Sequence, residues 1–325
     1  MSPSPFNAAT AREHLAAIRL GTAEPGIHDT DIHLDYDPTK IVELGTKLVA
    51  TQSLDTIERL AVHEQVLIAA LDAGDVPSAT KQFQALQQQF PVKSSIRMQR
   101  LQGLIKEAEK DYAGAQAIYE AAVQEDETNV TIHKRLIGLL VSQGKRAEAI
   151  EKLVVYVDAF MQDVEGWAEL ASLYLAENLI PQAAFCLEEI LVLRPQNHLY
   201  HIRYADVTYT LGKFDVALKH YCAALELCRD NTRALYGMRL ASDAVLRSRA
   251  KDSASSSPAT KRGKGGMVVV KEKDDGERDF VTEDTLQALK KLAGDRLVDV
   301  YERNGNSGTR STTILKAWLQ TGEQA

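Results

Sequence analysis

Cysteine is the first scarcity in this chain of 325 residues: there are 3, Cys186, Cys222 and Cys228, an odd number with no CxxC spacing. That pattern excludes a disulfide framework and a zinc site of the paired-cysteine kind, and it fits a reducing compartment. No run approaches the roughly 18 consecutive apolar residues that a spanning helix needs. Met1 is followed by Ser2, Pro3, Ser4 and Pro5 rather than by a basic stretch and an apolar run, so no secretory signal is expected. Contact with a membrane would then run through another chain. Positive charge is in deficit as well, with a formal net charge of -7. Neutralising phosphates needs a basic surface, so a nucleic-acid partner is not expected.

Aromatic residues reach only 6%, and Gly and Pro are sparse. What fills the chain instead is Ala, Leu, Glu, Gln and Lys, the good helix formers. At 45% hydrophobic and 26% charged the composition is that of a folded protein with a substantial core. An all-α fold is the first expectation.

Internal repetition sharpens it. Ala115, Ala149, Ala183 and Ala217 stand 34 residues apart in YAGAQAIYEAAV, RAEAIEKLVVYV, IPQAAFCLEEIL and FDVALKHYCAAL, each with apolar residues at helical spacing. Trp167, Leu170, Ala171 and Tyr174 match the first helix of a tetratricopeptide unit, Ala183, Leu187 and Ile190 its second, and Pro195 the turn that follows. The next unit supplies Tyr204, Ala205, Gly212, Ala217, Tyr221 and Ala224. A looser unit from about residue 60 carries Ala79 two residues off the period, which implies a small insertion at 91–95. Small residues let the paired helices approach, large apolar ones fill the gaps, and Gly near the middle of each unit ends the first helix. The fold expected is a tetratricopeptide-repeat α-solenoid, a right-handed superhelix of helix pairs with concave and convex sides.

The boundaries follow. Residues 1–57 form an N-terminal arm with capping helices at 7–20 and 39–52, around a polar stretch containing Pro25 and Gly26. Residues 58–250 hold about five repeats and a following helix at 232–249. Residues 251–279, with SASSSPATKRGKGG and KEKDDGERD, read as a disordered linker. Residues 280–325 return to helix at 283–303 and 311–319, docking on the solenoid end through Leu286, Leu289, Leu292, Leu297 and Val300.

Residues suited to chemistry are isolated. His198 and His201 in NHLYH have a metal-ligand spacing, but Asn197 reads as a helix cap and His201 takes the packing position of Trp167. The cysteines fall where small buried residues belong. GKGG at 263–266 lacks the strand and helix that a phosphate loop needs. No enzyme, cofactor or metal is expected. Some repeats of this type clamp a terminal carboxylate with Lys and Asn four residues apart on successive first helices. Here those positions hold Arg100 with Leu104, Lys134 with Gly138, Ala168 with Ser172 and Ile202 with Asp206, which disfavours such a clamp. The residues expected on the concave side, and so the candidates for partner binding, are Arg97, Arg100, Thr131, Lys134, Glu165, Tyr209 and Thr210. Their basic bias at the N-terminal end suits an acidic partner segment.

The strings HEQVLIAALDAGD, GWAELASLYL, AAFCLEEILVLRPQNHLYHIRYADVTYTLG and TRALYGM resemble the family of second subunits of the endoplasmic reticulum membrane protein complex, from about residue 40 to 238. The most specific part is 183–212, whose AAFC and NHLYH are not required by repeat packing. The resemblance implies a soluble scaffold on the cytosolic face of the endoplasmic reticulum, within an insertase for tail-anchored and multipass proteins. It also implies partners: cytosolic segments of subunits 3 and 5, and a cap subunit of the eight-or-nine type. The alternative from another class is a free cytosolic adaptor or co-chaperone that binds short peptides.

Overall fold

The computed structural model describes residues 7–23, 36–51, 54–255, 281–303 and 310–321. Among them the chain is helical throughout: α1 (Ala8–Ala23), α2 (Pro38–Ala50), α3 (Thr56–Asp72), α4 (Val76–Gln87), α5 (Ile96–Ala108), α6 (Tyr112–Glu125), α7 (Val130–Ser142), α8 (Arg146–Ala159), α9 (Val164–Ala176), α10 (Ile180–Leu193), α11 (His198–Thr210), α12 (Phe214–Leu227), α13 (Thr232–Ser255), α14 (Glu283–Tyr301) and α15 (Arg310–Thr321). The fold is an all-α tetratricopeptide-repeat solenoid.

The 34-residue period is built from four parts. First helices α5, α7, α9 and α11 have 13 residues and second helices α6, α8, α10 and α12 have 14. A three-residue turn joins each pair and a four-residue loop leads to the next. Each four-residue loop ends on a helix cap. The side chains of Ser95, Asn129, Asp163, Asn197 and Asn231, themselves in the 34-residue register, accept hydrogen bonds from Met98, Ile132, Glu165, Leu199 and Ala234 backbone N–H groups. These satisfy donors that the first helical turn leaves open.

Each three-residue turn needs its middle residue in the left-handed region. Gly74, Gly144 and Gly212 occupy it at φ 74 to 77°, where glycine meets no Cβ penalty. Two repeats depart from the expected glycine: Lys110 sits there at φ 63° and Asn178 at 57°. The residue that follows donates to the carbonyl five positions back, as Asp111 does to Lys106 at 2.9 Å and Leu179 to Tyr174 at 2.8 Å, which closes the helix end. The insertion expected near 91–95 is a 3-10 turn, Val92–Ser94, between α4 and α5.

The chain divides into two compact units, Met1–Ala149 and Ile150–Ala325. In the first, Leu15, Ile18, Ile41, Leu48, Val62 and Val66 bury the α1–α3 contact. Leu67, Ala79, Phe83, Leu86, Met98 and Leu101 then continue the core through α3, α4 and α5, and Ala115, Tyr119, Ala122, Ile132, Leu136 and Leu139 join α6 to α7. In the second, one cluster runs from Ile202 and Ala205 through Ala217 and Tyr221 to Met238, Val245, Leu286, Leu297 and Leu315. α14 packs along α13, and α15 on α14. The small residues on which the register rests, Ala115, Ala149, Ala171, Ala183, Ala205 and Ala217, are all 0% exposed.

Two expected boundaries move. α1 runs to Ala23 instead of ending at 20, and α13 runs to Ser255, so 251–255 is helix rather than linker. The rest of the expected linker and the stretch with Pro25 and Gly26 lie outside the described residues.

Candidate functional site

The aromatic column of the repeat explains one set of expected packing residues. Trp167 Nε1 donates to the Met161 carbonyl at 2.9 Å, and the residues 34 positions either side do the same work with imidazole: His133 Nε2 meets the Glu127 carbonyl at 2.9 Å, and His201 Nε2 meets the Pro195 carbonyl at 2.8 Å. Each ring N–H ties its first helix to the loop six residues before it. Tyr174 is half-buried, Tyr221 is buried, and Pro195 is exposed in its loop.

His201 therefore does not pair with His198 as a two-ligand site. Its Nδ1 lies 3.0 Å from Nδ1 of His220, and the rings stack at 5.3 Å. With Nε2–H donated to Pro195, Nδ1 of His201 accepts and His220 donates. Burial, and then the neighbouring His201, pull His220 down to about 4, so His220 is neutral at neutral pH. Burial pushes the Cys186 thiol up to about 12 and that of Cys222 to about 11. Such thiols stay protonated, the opposite of an activated nucleophile.

The partner-binding candidates fall into two groups. Arg97, Arg100 and Thr131 line one cleft of about 330 Å³ in the first unit, with Ile96, Asn129 and Ile132. Lys134 is half-buried in the turn beyond. Glu165, Tyr209 and Thr210 belong to the second unit. There Tyr209 packs edge-on against Phe214, and Thr210 donates to the Asp206 carbonyl.

The expected basic bias is corrected by Glu64. This residue of α3, 14% exposed at its side chain, pairs with Arg97 at 2.5 Å and Arg100 at 3.2 Å. Sequence reading missed it, although the signal was present: allowing for the two inserted residues, Glu64 holds the same repeat position as Arg100 and Lys134. Opposite charges in one column of adjacent first helices face each other.

Arg97 and Glu64 also sit where two apolar clefts adjoin. One, of about 420 Å³, has Ile18, Tyr36, Ile41 and Ile68 on its walls, and the other, of about 400 Å³, has Ile57, Leu60, Leu86, Phe90 and Leu101. Ile57 is 80% exposed and Phe90 44%. Arg97 lines each of these three clefts. An apolar trough punctuated by one ion pair can hold a peptide segment in register but offers no constellation for bond chemistry.

Comparison with known proteins agrees with this architecture. Residues 92–220 match the EMC2 TPR-like repeat domain. ER membrane protein complex subunit 2 of Xenopus tropicalis is 39% identical over 206 residues, which span 62% of this chain and 69% of that protein. TPR repeat protein oca3 of Schizosaccharomyces pombe is 33% identical over 211 residues, covering 63% and 74%. Among solved structures, the C-terminal part of a TPR repeat-containing protein from Cytophaga hutchinsonii superposes with a TM-score of 0.53 over 95% of this chain and 99% of that one. At 12% identity it speaks for the fold alone.

Proposed function

Because this chain belongs to the family of ER membrane protein complex subunit 2, we propose that it is a non-catalytic scaffold within such a complex. It works from the cytosolic face of the endoplasmic reticulum and holds cytosolic segments of membrane-embedded subunits, those of subunits 3 and 5 and a cap subunit of the eight-or-nine type. The complex inserts tail-anchored and multipass proteins, and this chain contributes assembly rather than a reactive group.

The observation that carries the reading is the set of adjoining clefts around the Arg97–Glu64 pair, with Ile57 and Phe90 exposed at their edge. Exposed large apolar residues beside a charged pair are what a bound segment would cover. No helix among the described residues is long and apolar enough to cross a membrane, so the attachment proposed is through partners.

The test is co-purification from detergent-solubilised membranes, comparing the natural chain with Ile57→Asp plus Phe90→Asp. Both side chains are exposed, so circular dichroism and thermal midpoint should hardly change. The natural chain should bring down membrane proteins and the double variant should lose them. A natural chain that stays wholly in the soluble fraction would favour the free adaptor and reject the scaffold reading. Full retention by the variant would reject this groove and leave the scaffold role standing.

A further inference from the structure

A second apolar surface lies in the second unit, on α8, α10 and the loop before α9, and shares no residue with the clefts around Arg97. Val155, Met161, Phe185 and Val192 are each more than half exposed. Phe185 and Val192 stand on one face of α10, two helical turns or about 11 Å apart. Trp167 of α9 joins that face to the loop: its ring meets Phe185 edge-on at 6.2 Å, and its Nε1 donates to the Met161 carbonyl at 2.9 Å. Exposed apolar side chains are ordinary when scattered singly, but several large ones grouped on one repeat mark a contact surface.

The charge around this surface says what would cover it. Residues 153–193 contain seven Asp and Glu and no Lys, Arg or His, so this stretch alone matches the formal net charge of -7 of the whole chain. Asp158 on α8 and Glu188 on α10 are exposed beside the apolar residues, one turn from Val155 and from Phe185. The Tyr204 hydroxyl donates to Glu188 at 2.6 Å and holds that carboxylate in place. Three cations border the stretch, Lys152 and Arg194 in sequence and Lys219 one repeat on from Phe185. They limit the acidic area without reversing its sign.

We propose that this apolar face docks a basic amphipathic helix of a partner protein. Apolar residues at i and i+7 of such a helix repeat at the spacing of Phe185 and Val192, and Lys or Arg beside them would reach Asp158 and Glu188. Nucleic acid or an anionic membrane would instead bring negative charge against these carboxylates. A second copy presenting the same face across a two-fold axis would do the same. The proposal does not rest on the groove around Arg97.

The test uses the full chain and a fluorescein-labelled helical peptide, capped at both ends, with leucine on one face and lysine and arginine beside it, followed by anisotropy. Saturable, salt-sensitive binding is expected, weakened at least about tenfold in Phe185→Gln plus Val192→Gln and in Asp158→Lys plus Glu188→Gln. All four side chains are exposed and glutamine at 188 still accepts from Tyr204, so circular dichroism should hardly change. Ile57→Asp plus Phe90→Asp should bind the peptide like the natural chain, which separates this outcome from that of the scaffold test. Absence of saturable binding, equal affinity for a peptide with glutamate in place of lysine and arginine, or undiminished binding by the Phe185 and Val192 variant would overturn the proposal. So would binding about tenfold tighter in a chain lacking residues 257–273, which would show the face taken by the chain's own basic stretch.

Discussion

Lys110 holds a left-handed backbone angle that its neighbours in the register assign to glycine. For an L-residue with a Cβ that conformation costs roughly 1–2 kcal/mol, partly offset by the larger chain entropy glycine brings to the unfolded state. Lys110→Gly should therefore raise stability by up to about 1 kcal/mol in denaturant unfolding. Asn178→Gly should do less, because asparagine tolerates the region. Gly144→Val should lower stability by more than about 1 kcal/mol. An unshifted midpoint in both Lys110→Gly and Gly144→Val would mean the turns relax without strain. His220 yields a pH prediction. Its folded value is about 4 against an ordinary 6.5, so between those values the unfolded chain takes up the proton first. The stability contributed by the neutral ring is full above about pH 6.5 and is lost as pH falls toward about 4, by at most about 3 kcal/mol. The unfolding midpoint of His220→Gln should show a shallower decline over that window. An identical pH profile would assign the acid sensitivity elsewhere.

At the scale of the helix pair, close approach depends on the alanine column. Ala183 and Ala217 have no exposed surface, so a large side chain at either has nowhere to go. Ala183→Trp or Ala217→Trp should cost about 1–3 kcal/mol or more, read as a lower thermal midpoint; unchanged melting of both would contradict the packing. The column of alanines was legible in the sequence because a small residue recurs at fixed spacing. The column of caps, Ser95, Asn129, Asp163, Asn197 and Asn231, was equally available and is the better guide, since it extends the register to α13. Helix ends were harder. α13 continues to Ser255 because nothing in KDSAS breaks a helix, and a drop in apolar content marks the end of a core face rather than of hydrogen bonding.

On the scale of the whole molecule, the problem for a repeat array is its last apolar face. α13 presents Leu235, Met238, Ala241 and Val245, and α14 covers them with Leu286, Ala293, Leu297 and Val300. Truncation after residue 255 should uncover that surface and give a chain that melts lower and binds a hydrophobic dye. A truncated chain with unchanged melting and no dye binding would show that α14 and α15 are dispensable to the fold.

The sequence by itself determined the fold class, the 34-residue register, the inserted turn before α5 and the family, because each is written in residue types at fixed spacing along one chain. Tertiary structure alone decided that Arg97 and Arg100 answer to Glu64, that His201 pairs with His220 rather than His198, and that Arg239 is buried against the Leu319 carbonyl and the Trp318 ring. The reason is physical. Periodicity specifies which face of a helix repeats, whereas the partner of a long charged or imidazole side chain is set by how closely the neighbouring helix approaches and which end of it is reached.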